Sequence, residues 1–332
     1  MKVPVKNTKS RPSRVLSRKP DLRAASSPSV WKSIARYAAA VGLLLASGCA
    51  SPLPPRPPFS FAVLADVQYA DKDTNIGRHY RASLTNLENC VADLNQRRPF
   101  FVIQLGDIID GQTNLTASCA DLDGILGVYR KLRVPAYHVA GNHDFAVGYD
   151  TLRERLGLRS FYYAFTHPAA QGWRFVVLDG NDAGYAALGQ TQLDWFRNTL
   201  AEAARRGERV ICFCHYALLK EAAAHHRLAE PEPMLAILDE TRCVVAWFAG
   251  HDHAGGYAVR NGVHHVTVAG MVEAPAKNAY ALIEVYPDRL REIGVGTEPS
   301  RELPLPHAGR PLAGALSSPA VASDLPALHP SR

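Results

Sequence analysis

Six short apolar runs punctuate the chain from Phe59 onward: FAVLA, FFVIQL, AYHVA, RFVVLD, RVICFC and CVVAWF. Runs of this length, bounded by Gly and Asp and alternating with helical stretches, predict strands buried on both faces by helices. Between the first two, Leu84, Leu87, Val91 and Leu94 recur at helical spacing, which predicts a helix starting near Tyr80 with a single apolar stripe. Five of the six runs lead straight into a polar cluster, and the exception ends on Asp179. In an α/β sheet this order gathers the clusters at the carboxyl edge of the strands, where such folds bind ligands.

The clusters are ADVQ (Asp66, Gln68), LGDIIDG (Asp107), AGNHD (Asn142, His143, Asp144), FCHY (His215) and AGHDH (His251, Asp252, His253). Taken singly, an Asp after a strand caps a turn and a lone His is a satisfied core residue. Five together are different, because burying so many ionisable groups without a counter-ion is costly. Two cations held a few Å apart would supply that counter-charge, clamp a phosphoryl group and acidify a bridging water. Gly106, before Asp107, is expected to let the backbone approach a metal closely.

Composition narrows the partners. The net charge of +6 suggests a nucleic acid or anionic membrane only until it is located. Residues 1–48 carry ten Lys or Arg against Asp21 alone, leaving −3 for the remainder, so no nucleic-acid partner is expected for the folded part. That basic leader runs into YAAAVGLLLASGCAS, apolar but short for a membrane span, as in a secretory signal. Ala46-Ser47-Gly48-Cys49 resembles the lipobox of bacterial lipoproteins, which implies cleavage, lipidation of Cys49 and a membrane-attached protein facing the periplasm. An uncleaved anchor, or a mis-assigned start giving a cytoplasmic protein, remains open. Residues 49–58 then read as a Pro-rich spacer, 59–302 as one domain and 303–332 as a disordered tail. Cys90, Cys119, Cys212, Cys214 and Cys243 read as buried apolar thiols without zinc-site spacing.

D-x-Q, G-D, G-N-H-D, H and G-H-D-H, in this order, resemble the calcineurin-like metallophosphoesterase superfamily. Its usual first motif is D-x-H. Gln68 departs from it, and ADVQYAD, RHYRASL, QLGDIIDG, GQTQLDWF, GHDHAGGY, GVHHVTVAG and EVYPDRL look like the manganese-dependent ADP-ribose/CDP-alcohol diphosphatase family over Phe59 to Glu302. The resemblance implies an α/β fold, a four-layer αββα sandwich with the dimetal site at the carboxyl ends of the strands. It implies that Asp66, Gln68, Asp107 and His253 hold one metal and Asp107, Asn142, His215 and His251 the other. Carboxylate, amide and imidazole together suit Mn(II), Fe(II) or Zn(II), and the neutral oxygen of Gln68 favours Mn(II).

The implied reaction is hydrolysis of the diphosphate of nucleoside diphosphate conjugates such as ADP-ribose or CDP-alcohols by a metal-bridging hydroxide. His143 would protonate the leaving oxygen and Asp144 orient its ring, unless Asp144 simply caps a turn. Tyr69, Tyr80, Phe145 and Tyr257 could stack on a base, and Arg78 and Arg81 could meet phosphate, or each could pack or point to solvent. The segment after His215 departs from the family, and His225 and His226 on it read as exposed and incidental. Two other functions stay open: a phosphomonoesterase or phosphodiesterase of the same superfamily, and an inactive lipoprotein scaffold.

Overall fold

A computed structural model describes residues 58–305. The expected leader, Cys49 and its lipidation, the spacer up to residue 57 and the tail beyond residue 305 lie outside the described residues.

Twelve strands form two six-stranded sheets. The first has the order β12-β11-β10-β1-β2-β3, with β1 (Phe59–Leu64), β2 (Val102–Gln104), β3 (Ala136–His138), β10 (Ala279–Val285), β11 (Arg289–Gly296) and β12 (Arg301–Pro304). The second has the order β4-β5-β6-β7-β9-β8, with β4 (Tyr163–Phe165), β5 (Trp173–Leu178), β6 (Arg209–Cys214), β7 (Val244–Ala249), β8 (Gly256–Arg260) and β9 (Val263–Thr267). The six apolar runs become β1, β2, β3, β5, β6 and β7, which pair in parallel within each sheet. Antiparallel β10 extends the first sheet from β1.

Each strand has two apolar faces, and they are covered differently from the simplest expectation. Phe61 and Val63 of β1 point into a core shared with Phe175, Phe213 and Phe248 of the second sheet, whereas Ala62 and Leu64 face helices. Helices thus cover one face of each sheet, and the opposite sheet covers the other. On the first sheet α1 (Tyr80–Arg97) buries Leu87, Val91 and Leu94, and α2 (Leu115–Tyr129) buries Leu122, Ile125 and Leu126. Short α3 (Tyr149–Arg155) follows β3. On the second, α4 (Gln190–Arg205) and α5 (Glu232–Thr241) pack over Val176, Cys212, Cys214 and Trp247. The architecture is the four-layer αββα sandwich. Each buried Phe of the intersheet core contributes about 1.5–3 kcal/mol, so this layer is a large share of the driving force.

Cys212 and Cys214 share the helix-facing side of β6 as free, buried thiols, and the cysteines among the described residues form no disulfide. β12 carries the folded domain past the expected boundary at residue 302, with Leu303 and Leu305 buried. Among the described residues no helix is long and apolar enough to cross a membrane.

Candidate metal centre

The parallel strands β1, β2 and β3 of one sheet and β6 and β7 of the other end side by side, and the five polar clusters leave from those ends. Asp66, Gln68, Asp107 and His251 all take left-handed backbone conformations, with φ of 51°, 41°, 55° and 67°. Side chains other than Gly seldom adopt this region, so four such residues at one place mark stored strain of the kind found at ligand sites. The turn tips each side chain back over the sheet edge instead of continuing the strand.

Asp107 sits at the centre and is fully buried. Its Oδ1 accepts the His143 amide at 2.9 Å, while its Oδ2 accepts Gln68 Nε2 at 3.0 Å and lies 3.4 Å from His215 Nε2. His215 Nε2 is 3.0 Å from His251 Nδ1, and its Nδ1 is held by the Leu105 carbonyl at 2.9 Å. Atoms of Asp107, His215 and His251 converge within 4.8 Å of one another. Asp66 Oδ2 accepts the His251 amide at 2.9 Å, and its Oδ1 lies 3.4 Å from His253 Nε2. Asn142 reaches the same edge, where its Oδ1 accepts the Tyr216 hydroxyl at 3.3 Å. All seven candidate ligands are therefore gathered.

Two observations test whether the residues fit metal ions. Asp66 Oδ1 and Gln68 Oε1 are buried without a hydrogen-bond partner, a costly state for oxygen unless a cation answers it. Glycines also keep the space clear. A Cβ on Gly250 would fall 2.6 Å from Asp66 Oδ2 and one on Gly270 2.7 Å from His253, while those on Gly106 and Gly141 would collide with His215 and Asp107. Gly106 makes room for the His215 ring. The oxygen and imidazole donors fit divalent manganese, iron or zinc.

Protons balance the carboxylates. Burial opposes a charged His215 ring, but Asp107 raises it to about 9; burial likewise opposes His253, which Asp66 and then Glu273 raise to about 9. Burial, and then the charge of His215, lower His251 to about 3. Cations bound here displace the protons of their ligands, so their affinity falls in acid.

His143 and Asp144 do not pair as expected. The His143 Nδ1 is 2.8 Å from the Asp110 carbonyl and 3.4 Å from the Asp110 carboxylate, which also binds Lys72 and lies 3.5 Å from Arg78. Asp144 instead accepts backbone amides of Asp107 (3.0 Å), Ile108 (2.7 Å), Ile109 (3.3 Å) and Gly141 (2.9 Å). Burial, then the Asp107 charge, push its carboxyl up to about 7, against the pull of the Gly141 and Ile109 amides. It ties the β2 turn to the β3 turn, the capping alternative realised on a second segment. Asp110 was legible as the second acid of LGDIIDG but carried no spacing that tied it to His143.

The candidate substrate contacts divide. Tyr80 is buried with Ala70 and Val272 under the Lys72 ammonium, so it packs the start of α1 and offers no stacking face. Arg81 is engaged by Asp71 and Asp73 at 2.5 and 2.6 Å. Phe145 stacks with Tyr149 and meets Phe161 edge-on, Tyr69 is half-buried against the α1–α2 core, and Tyr257 bonds His264 on β9. Two further side chains stand over His251: Tyr185, which the sequence did not mark, and His226, which is exposed as expected but not incidental to the site. The Tyr185 hydroxyl lies 3.0 Å from His251 Nε2, and the His226 ring meets that of His251 edge-on at 5.0 Å.

Residues 59–255 match the calcineurin-like phosphoesterase family. A manganese-dependent ADP-ribose/CDP-alcohol diphosphatase of Bos taurus is 31% identical over 316 residues, 73% of this chain and 93% of the bovine protein. That of Oryza sativa is 31% identical over 300 residues, 72% of this chain and 91% of the rice protein. A dimetal phosphatase of Danio rerio, known from its crystal structure, superposes with a TM-score of 0.69 at 28% identity, over 75% of this chain and 100% of that one. GAP50 of Plasmodium, at 14% identity and a TM-score of 0.57 over 76% of this chain and 90% of its own, shares the fold alone. Motif order, sandwich and sequence likeness agree, and the chain belongs to the calcineurin-like phosphoesterase family.

Proposed function

We propose that this protein hydrolyses the phosphoanhydride bond of nucleoside diphosphate conjugates, with ADP-ribose and CDP-alcohols as the substrate class and manganese as the favoured metal. The observation that carries the reading is the Asp107 cluster with its two unpartnered oxygens, in a chain 31% identical to diphosphatases named for these substrates and this metal. Asp66, Gln68, Asp107 and His253 would hold one cation and Asp107, Asn142, His215 and His251 the other, with Asp107 serving both. Two cations there would acidify water and neutralise charge developing on the phosphoryl oxygens.

The remaining steps fall to the chain. His143, with Nδ1 fixed on Asp110, presents Nε2 to deliver a proton to the departing phosphate oxygen. Glu273, 2.9 Å from His253 Nδ1, fixes that ring so that Nε2 faces Asp66. Asp144 holds the turns in register from beneath. Side-by-side assay of manganese-loaded protein on ADP-ribose, CDP-choline and p-nitrophenyl phosphate tests the reading. Turnover of the first two with little of the third supports it; turnover of p-nitrophenyl phosphate alone would move the protein to the phosphomonoesterases.

Export and anchoring through Cys49 complete the proposal, supported by the basic segment, apolar run and small-small-Cys sequence in the required order. Mass spectrometry of the membrane fraction should find a lipidated Cys49; an intact amino terminus would refute it.

A further inference from the structure

His226 stands on the segment that departs from the family pattern, yet three backbone contacts fix that segment to the site. The His225 amide donates to Asp252 Oδ2 at 3.1 Å, between His251 and His253 in sequence. The Leu228 amide donates to the Ala217 carbonyl at 3.0 Å, two residues after His215, and the Ala229 amide to the Ala186 carbonyl at 2.9 Å, beside Tyr185. Gly256 leaves room for Ala222, against whose carbonyl any Cβ there would collide. The rim loops that carry Tyr185 and His226 are thus stitched to each other and to the candidate ligand segments.

Within this frame His226 has φ of 58°, a left-handed conformation that His adopts more readily than most residues but seldom without cause. Its ring lies edge-on to that of His251 at 5.0 Å, and His251 Nδ1 is in turn 3.0 Å from His215 Nε2. It is exposed and has no hydrogen-bond partner among the described residues. An imidazole whose backbone is tied on both sides, with no such partner of its own and one ring away from a candidate ligand, is placed for a substrate group that lies outside the reacting phosphoryl.

We propose that His226 donates a hydrogen bond to the second, non-attacked phosphate of a diphosphate substrate, and so selects diphosphates over monoesters. This rests on the reading of the site as a diphosphatase. A monoester has no anionic oxygen one phosphate further out, whereas a diphosphate does, and donation to an ionised oxygen is the stronger kind of hydrogen bond.

The test is calorimetric binding of orthophosphate and of methylenediphosphonate, which cannot be cleaved at its bridge, to manganese-loaded wild type, His226→Ala and His226→Gln, with metal content measured after each titration. The ratio of diphosphonate to orthophosphate affinity should fall about tenfold in His226→Ala, a loss of about 1.4 kcal/mol, and return in part in His226→Gln, which keeps an N–H. Metal content should match wild type. Equal weakening of both anions, no weakening of either, or loss of metal would each overturn the proposal, the last because His226 would then act by supporting His251. The substrate panel separates this from the wider reading: failure to cleave any nucleoside diphosphate conjugate refutes the diphosphatase, whereas a His226-dependent preference for the diphosphonate concerns His226 alone.

Discussion

His143 and Asp144 are neighbours in sequence with separate tasks. In His143→Ala only the proposed proton delivery is removed, and general acid catalysis is worth about 10² to 10⁴ in rate, so kcat should fall by that range while elemental analysis still finds wild-type metal. The deficit should narrow for leaving groups that are already weak bases. Asp144→Asn should act on stability instead. Each carboxylate oxygen accepts two amides, so the NH2 of Asn, whichever way it is turned, faces two N–H donors and leaves both unpaired. Each buried unsatisfied donor costs about 1–3 kcal/mol. Urea unfolding at pH 8 should therefore show a loss of about 2–6 kcal/mol, and an unchanged midpoint would mean that the amides find other partners. The clusters were legible because ligand chemistry needs particular residue types at strand ends. The partners of His143 were not, since Asp110 and Asp144 are equally plausible acids until folding shows which one faces the ring.

At the scale of elements, the six apolar runs and the stripe on α1 could be read directly, and their division between two sheets could not. A strand covered by a helix on one face and a sheet on the other has the same apolar alternation as one covered by two helices. β4, β8 and β11 escaped the pattern because they are partly exposed and mixed in character, as where half-buried and exposed positions alternate along GYAVR of β8. The turns that follow the strands are where small changes should matter most. Gly141 follows the β3 run and has no space for a Cβ beside the Asp107 carboxylate and amide. Gly141→Ala should push Asp107 off its position, so that metal content falls well below wild type and activity falls with it, at a packing cost of about 1–3 kcal/mol. Full metal loading in this variant would show that the turn can shift without moving the carboxylate.

At the scale of the whole molecule, the last strands matter both to stability and to the order of assembly. Glu292 on β11 and Glu298 before β12 are buried and share Arg301, at 2.7 and 2.9 Å. Burial first, and the charge of Glu298 second, push the Glu292 carboxyl up to about 8. The folded protein therefore keeps a proton that the unfolded chain releases above its ordinary glutamate range. The stabilisation is complete below that range and is lost as pH rises towards about 8. Glu292→Gln should flatten this dependence. Between about pH 5.5 and about pH 8.5 its Tm should fall less than that of wild type, and parallel Tm curves would exclude Glu292 as the source. The pairing of β1 has a different consequence. Its residues Phe59–Val63 pair with β10 on one side, Phe59 opposite Val285, and Ala62–Leu64 pair with β2 on the other. Every candidate ligand, the last being His253, precedes β10 in the chain. During synthesis all of them emerge before the strand that closes the sheet beneath Asp66, so no nascent chain ending before residue 279 can hold a finished site, and catalytic competence arrives only with the final tenth or so of the domain.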